Sequence, residues 1–166
     1  GARGARLGGQ AEVDALLDRG ATGHAAEMLG AASAALDMAV AYAKDRVQFG
    51  RPIGSFQAVK HRLADMLVDV EGMRSSVFHA AWSIGAGDPG ASIAASVAKS
   101  WCSEAGKRVM ASALQVHGGI GFTWEHDLHL FLKRAQLDQL AFGSATFHQD
   151  RLAAMLDAMV LLRRPD

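Results

Sequence analysis

The chain has 166 residues, one fifth of them charged, with 17 Lys and Arg balanced by 17 Asp and Glu. This neutral balance offers no basic excess for a phosphate backbone and argues against a nucleic-acid partner. Half the residues are hydrophobic, which argues against disorder, and the single cysteine, Cys102, excludes an internal disulfide and a Cys-cluster zinc site.

Abundant alanine, no β-branched runs and only three prolines give the sequence a helical character. Residues 1–12 read as a loose lead-in and 13–166 as one helical domain. The first residue is not methionine, so the expectation is a fragment or a processed chain. A first helix is predicted over Val13–Arg46, with Leu16, Leu17, Met28, Leu29, Leu36, Met38, Val40 and Tyr42 at helical spacing. Gly20, Gly23 and Gly30 predict a bend or a late start in its first half. Arg51-Pro52-Ile53-Gly54 reads as a turn, and Ser55 as the N-cap of a second helix over Phe56–Gly85. That helix carries a core stripe of Val59, Leu63, Met66, Leu67, Val70, Met73 and Val77. Asp88-Pro89-Gly90 is another turn. A third helix spans Ala91–Val116, anchored by Ile93, Val97, Trp101, Val109, Met110 and Leu114. Cys102 sits on it as a small core residue. A short helix over Glu125–Lys133 and a last one over Ser144–Leu162 complete an all-α, up-and-down bundle. No run of about 18 uninterrupted apolar residues and no signal peptide are visible, which predicts no membrane span and a cytoplasmic location.

Two segments stand out from this helical background. Gln115-Val116-His117-Gly118-Gly119-Ile120-Gly121-Phe122 places three glycines within four positions at a helix end. One glycine suffices to end a helix. Three imply that something flat or anionic lies on the main chain. Arg46-Val47-Gln48-Phe49, with Gln57 beyond it, lies at the matching end of an earlier helix. Arg46 at a helix C-terminus suits the macrodipole, and its guanidinium also suits a forked grip on a pyrophosphate. Phe49 can cover an aromatic ring, and the Gln57 amide can meet hydroxyl or base edges. His117 reads as a structural hydrogen-bonder. His126 and His129 are three apart beside Glu125 and Asp127, but no Glu-x-x-His partners them on another helix, so no metal site is expected. There is no P-loop, dinucleotide fingerprint or Gly-x-Ser-x-Gly.

The run from Tyr42 to Met66 (YAKDRVQFGRPIGSFQAVKHRLADM) resembles the acyl-CoA dehydrogenase family closely, as does Gln115 to Arg134 (QVHGGIGFTWEHDLHLFLKR). The similarity covers nearly all the chain after about Leu16 and corresponds to the family's C-terminal helical domain. The family's N-terminal helical and middle β-domains have no counterpart here. The resemblance implies FAD as cofactor, an acyl-CoA thioester as substrate, and homo- or hetero-oligomers of acyl-CoA dehydrogenase-like subunits with the flavin at a subunit interface. It places Arg46, Gln48, Phe49, Gln57, Gln115, Val116, Gly118 and Gly119 at flavin contacts, with Ser144 and Thr146 at further ones. In the family a carboxylate removes the α-proton while hydride leaves Cβ for the flavin. The chain departs from the pattern here. Phe142 stands where many members carry the glutamate, and Gly20, beside Ala21, where others carry it. No catalytic residue is therefore expected in this chain. It reads as a subunit that completes the flavin site while a partner provides the base, as in a bacterial heteromeric subset. A helical scaffold holding no flavin is the alternative. A carboxylate elsewhere, such as Glu125 or Asp138, is a third possibility.

Overall fold

A computed structural model describes residues 8–162. The first helix, α1 (Gln10–Asp45), is continuous. It begins three residues before the expected Val13, because the Glu12 carboxylate accepts a 2.7 Å hydrogen bond from the Gly9 N–H and closes the first turn. The expected bend is not there. Gly23 and Gly30 face open space, and Gly20 supports an aromatic ring described below.

After α1 the chain makes a two-residue-per-strand hairpin, β1 (Val47–Gln48) against β2 (Arg51–Pro52), with Val47 opposite Pro52 and Gln48 opposite Arg51. The tight turn is therefore at Phe49 and Gly50, both with positive φ, and not at Arg51–Gly54. A 3-10 turn (Ile53–Ser55) leads into α2 (Gln57–Ala86). Ser55 is not its cap. The Phe56 carbonyl accepts from the N–H groups of Val59 and Lys60, and the Ser55 hydroxyl is buried without a partner among the described residues.

Gly87, left-handed at φ 66°, ends α2, and Asp88-Pro89-Gly90 turns the chain as its sequence predicts, with Asp88 Oδ1 accepting from the Gly90 N–H. The third helix, α3 (Ala91–His117), is the central element and packs on α1, α2, α4 (Leu128–Leu140) and α5 (Ala145–Leu162). Alanine and glycine let these helices approach closely. Gly106 faces Met28 and Met73, and a Cβ on Gly72 would lie 2.8 Å from the Trp101 Nε1. The core runs through Met28, Leu36, Met66, Met73, Cys102, Val109, Met110 and Leu128. Burial raises the Cys102 thiol pKa to about 12, so it is an inert core residue.

Several residues expected in the core are not there. Leu16, Leu67, Val97 and Trp101 are exposed. With Val68, Phe78 and Trp82 they leave apolar surface on α1, α2 and α3 that the described residues do not cover. The short helix also lies later than expected, at Leu128–Leu140. Two capping interactions set its limits. His126 Nδ1 accepts from the Leu128 N–H at its start. At its end the fully buried Lys99 of α3 donates from Nζ to the carbonyls of Asp138 (2.7 Å) and Gln139 (3.0 Å). No described helix is long and apolar enough to cross a membrane.

Candidate functional site

The two segments singled out in the sequence meet in space. The C-terminus of α1 and the end of α3 form an open cleft of about 520 Å³, lined by Tyr42, Arg46, Gln48, Ile53, Val116, His117, Gly118, Gly119 and Ile120. Arg46 is exposed there, and its guanidinium has no acidic partner among the described residues. It is a free cation on the rim of a concave surface. Gln48 turns its amide onto the Val47 carbonyl (2.7 Å).

The glycines divide by cause. Gly118 ends α3 with φ 62°, so its own backbone requires glycine. Gly121 is required by packing, since a Cβ would lie 3.0 Å from the His117 Cβ. Gly119 has neither reason, because its φ is not positive and a Cβ there would meet nothing within 4 Å. Nothing among the described residues explains its lack of a side chain.

His117 is structural, as expected. It is buried, its Nδ1–H donates to the Ala113 carbonyl (2.8 Å), and its ring stacks on Tyr42 with centroids 4.8 Å apart. Burial holds its pKa below the usual imidazole value. Tyr42, Ile53 and Ile120 complete the cleft. Tyr42 carried only apolar periodicity in the sequence, which cannot tell core from cleft wall, while Ile53 lay in the expected turn and Ile120 in the glycine segment. His126 and His129 are committed to local backbone contacts, with His129 Nδ1 on the His126 carbonyl.

The other expected residues lie outside this lining. Phe49 projects from the hairpin tip, 93% exposed at φ 53°, with only the edge of Phe56 near it (6.2 Å). An exposed phenyl ring on a left-handed backbone is costly in two ways, and function is where such costs accumulate. Gln57 and Gln115 are exposed on the first turn of α2 and the last turns of α3. Ser144 and Thr146 lie at the opposite end of the bundle. The α5 residue His148 binds Ser96, 21 residues before His117, on the order of 30 Å away along α3. Ser144 Oγ there accepts from the Phe147 N–H and caps α5.

That far end brings together Gly20 and Phe142. A Cβ on Gly20 would overlap the Phe142 ring. The two positions that the sequence offered as alternatives for one carboxylate are a single place. Phe142 is left-handed at φ 55°, and its carbonyl accepts a 2.9 Å bond from His148 Nε2–H, which locks the loop. Beside it His24 Nδ1–H donates to the buried Asp138 (2.8 Å), while Arg134 pairs with Glu27 and Asp138. Asp18, Arg151 and Ser96 form a further buried link between α1, α5 and α3.

Comparison with known proteins gives this architecture a family. The family model described as the acyl-CoA dehydrogenase C-terminal domain matches residues 8–156. The chain belongs to the acyl-CoA dehydrogenase family. The acyl-CoA dehydrogenase IpdE2 of Mycolicibacterium smegmatis is 51% identical over 139 residues, covering 84% of this chain and 43% of that protein. Among solved structures, the Tcur3481–Tcur3483 steroid acyl-CoA dehydrogenase variant superimposes with a TM-score of 0.87 at 35% identity, over 92% of this chain and 42% of that one. The ChsE4–ChsE5 complex from Mycobacterium tuberculosis does so with a TM-score of 0.83 at 37% identity, over 97% and 42%. The chain thus spans less than half the length of these relatives. Acyl-CoA dehydrogenases are FAD flavoproteins and oxidoreductases.

Proposed function

We propose that this domain builds part of the FAD site and the oligomeric core of an acyl-CoA dehydrogenase-like flavoprotein, in a subunit without its own catalytic base. The reaction of the whole protein is α,β-dehydrogenation of an acyl-CoA thioester. The single observation that carries the flavin reading is Gly119: a glycine that neither backbone nor packing demands, in a cleft rimmed by an unpaired arginine.

The residues present fit the cofactor. Arg46 offers forked donors to a pyrophosphate, and the main chain at Val116, Gly118 and Gly119 allows a ligand to lie directly on it. Gln48, Gln57 and Gln115 add amide donors and acceptors around the rim. Phe49, with no ring contact among the described residues beyond the edge of Phe56, suits an aromatic ring system reaching in from a neighbouring subunit. Ser144 and Thr146 lie too far away to share that ligand, so on this reading they serve a second cofactor at the far end of the domain. When bound, FAD supplies the acceptor for the hydride that leaves Cβ.

The absence of a base rests on Gly20 and Phe142. Neither side chain can take a proton, and their contact removes both family positions together. Proton abstraction then falls to a partner subunit. Two observations favour such a partner: the apolar surface left by Leu67, Val68, Phe78 and Trp82, and a likeness to a two-component complex. The test is co-purification of the full-length protein with its partner, followed by visible absorbance. Flavin bands are expected. A colourless complex sinks the reading and leaves a helical scaffold in its place.

A further inference from the structure

Helix α2 carries an exposed stripe that no described element covers. Leu67, Glu71, Arg74, Phe78 and Trp82 follow one another at intervals of four, three, four and four residues, so they share one face. Leu67, Phe78 and Trp82 are 51%, 63% and 60% exposed. A helix face meant for water carries polar or charged groups at such positions. Here charge is kept only in the middle, where Arg74 Nε donates to Glu71 Oε1 at 3.2 Å. That bond uses one of five guanidinium N–H donors, so Arg74 has others free to hold a second carboxylate.

The stripe reads apolar, acidic, basic, apolar, and this order is self-complementary when reversed. A second α2 laid antiparallel, with a two-fold axis passing between Gly72 and Met73, sets Leu67 opposite Phe78 of the second copy and Glu71 opposite its Arg74. Each contact then occurs twice, and the two pairs within the helices join into a ring of four charges. In the same register the exposed Ala64 meets Ala81 of the second copy, and these small side chains let the helices approach. The seam from Ala64 to Ala81 is about 26 Å long at 1.5 Å per residue. A parallel arrangement sets Glu71 against Glu71 and Arg74 against Arg74, which repel. An unrelated partner gives no reason for opposite charges placed equally far from one midpoint.

We propose that α2 packs antiparallel on α2 of a second copy of this chain. Leu67, Phe78 and Trp82 supply the apolar contact, and the Glu71–Arg74 ring fixes its register. None of these residues lines the flavin cleft, so the seam goes beyond the flavin reading. Val68 lies one turn before Gly72, on the side of α2 that faces Trp101. With Val97 and Trp101 it stays open to the subunit that supplies the base. The assembly thus joins two copies of this chain back to back, each with its own base-bearing partner.

Sedimentation equilibrium of the full-length protein, purified with the base-bearing subunit, tests this. The complex is expected to hold two copies of this chain. Glu71→Arg and Arg74→Glu each turn two attractive pairs into two repulsive ones, and each raises the dissociation constant of the two copies about tenfold. The double exchange, Glu71→Arg with Arg74→Glu, restores wild-type association. Both side chains face solvent in the single chain, so helix content and flavin content stay unchanged in all three variants. A complex with one copy of this chain overturns the proposal. So do single reversals that leave association unchanged, or a double exchange that fails to restore it. A colourless complex whose assembly still follows these charges overturns the flavin reading and leaves the seam standing.

Discussion

Gly119→Ala separates ligand binding from folding, and Gly121→Ala is its internal control. At Gly119 an added methyl meets nothing within 4 Å and φ is not positive, so the folded chain bears no steric cost. The substitution also restricts the unfolded chain, which favours folding by about 0.4–1 kcal/mol. At Gly121 the methyl lies 3.0 Å from the His117 Cβ and 3.5 Å from the Leu114 carbonyl oxygen. Both belong to the end of α3, which cannot yield easily, so a loss of about 1–3 kcal/mol is expected from overpacking. Thermal unfolding of the 166-residue chain measures both effects. In the full-length protein, Gly119→Ala is expected to retain folding and lose flavin, because the methyl takes space the cofactor occupies. Gly119→Ala with full flavin occupancy refutes the assignment. Gly119→Ala with a markedly lowered melting temperature refutes the claim that packing does not require the glycine.

Other outcomes follow from single contacts. Burial lowers the Lys99 pKa from an ordinary 10.5 to about 8. Between these values the unfolded chain binds the extra proton, so stability rises with pH across that window. A gap of about 2.5 in pKa amounts to an upper limit of about 3 kcal/mol. Unfolding followed from pH 8 to 9, below the range in which the raised Cys102 thiol adds an opposite slope, shows this rise, and Lys99→Met abolishes it; a slope that persists in the variant shows another group to be responsible. Gly72→Ala forces the Trp101 indole away from α2 and destabilises by about 1–3 kcal/mol, read as a lower denaturant midpoint. Phe142→Glu does not create dehydrogenation in the isolated 166-residue chain, whose residues 8–156 correspond to the family's C-terminal domain. Turnover of an acyl-CoA with an electron acceptor shows otherwise.

The helices were legible because their apolar residues recur at the α-helical period and because proline and glycine punctuate the turns. What escaped the sequence depends on distant partners. The end of α4 is set by Lys99, a residue on another helix, and no local signal announces it. Ser55 has the residue type of a cap, yet the Phe56 carbonyl takes that position in the fold. Leu67 and Trp101 satisfy the periodicity of a core stripe, but periodicity does not distinguish a neighbour within the chain from one in another subunit. In the cleft, Arg46, Gly118 and Gly119 were readable from residue type at helix ends, and Gln48 and Val116 from the family resemblance. His117 was readable as a hydrogen-bonder, whereas Tyr42 was not readable as cleft wall, since an aromatic residue at helical spacing reads as core. The pairing of Gly20 with Phe142 needed the fold, because residues from α1 and the loop before α5 share one place only after the bundle closes.

On the proposed function, the cleft at the joined ends of α1 and α3 holds FAD. Equilibrium flavin binding by the full-length protein and its partner, compared with Arg46→Ala, tests it most directly. A flavin-loaded complex is expected, with an affinity that falls by about 1.5–3 kcal/mol, some tenfold to a hundredfold, when this charged donor is lost. Unchanged affinity in Arg46→Ala contradicts it.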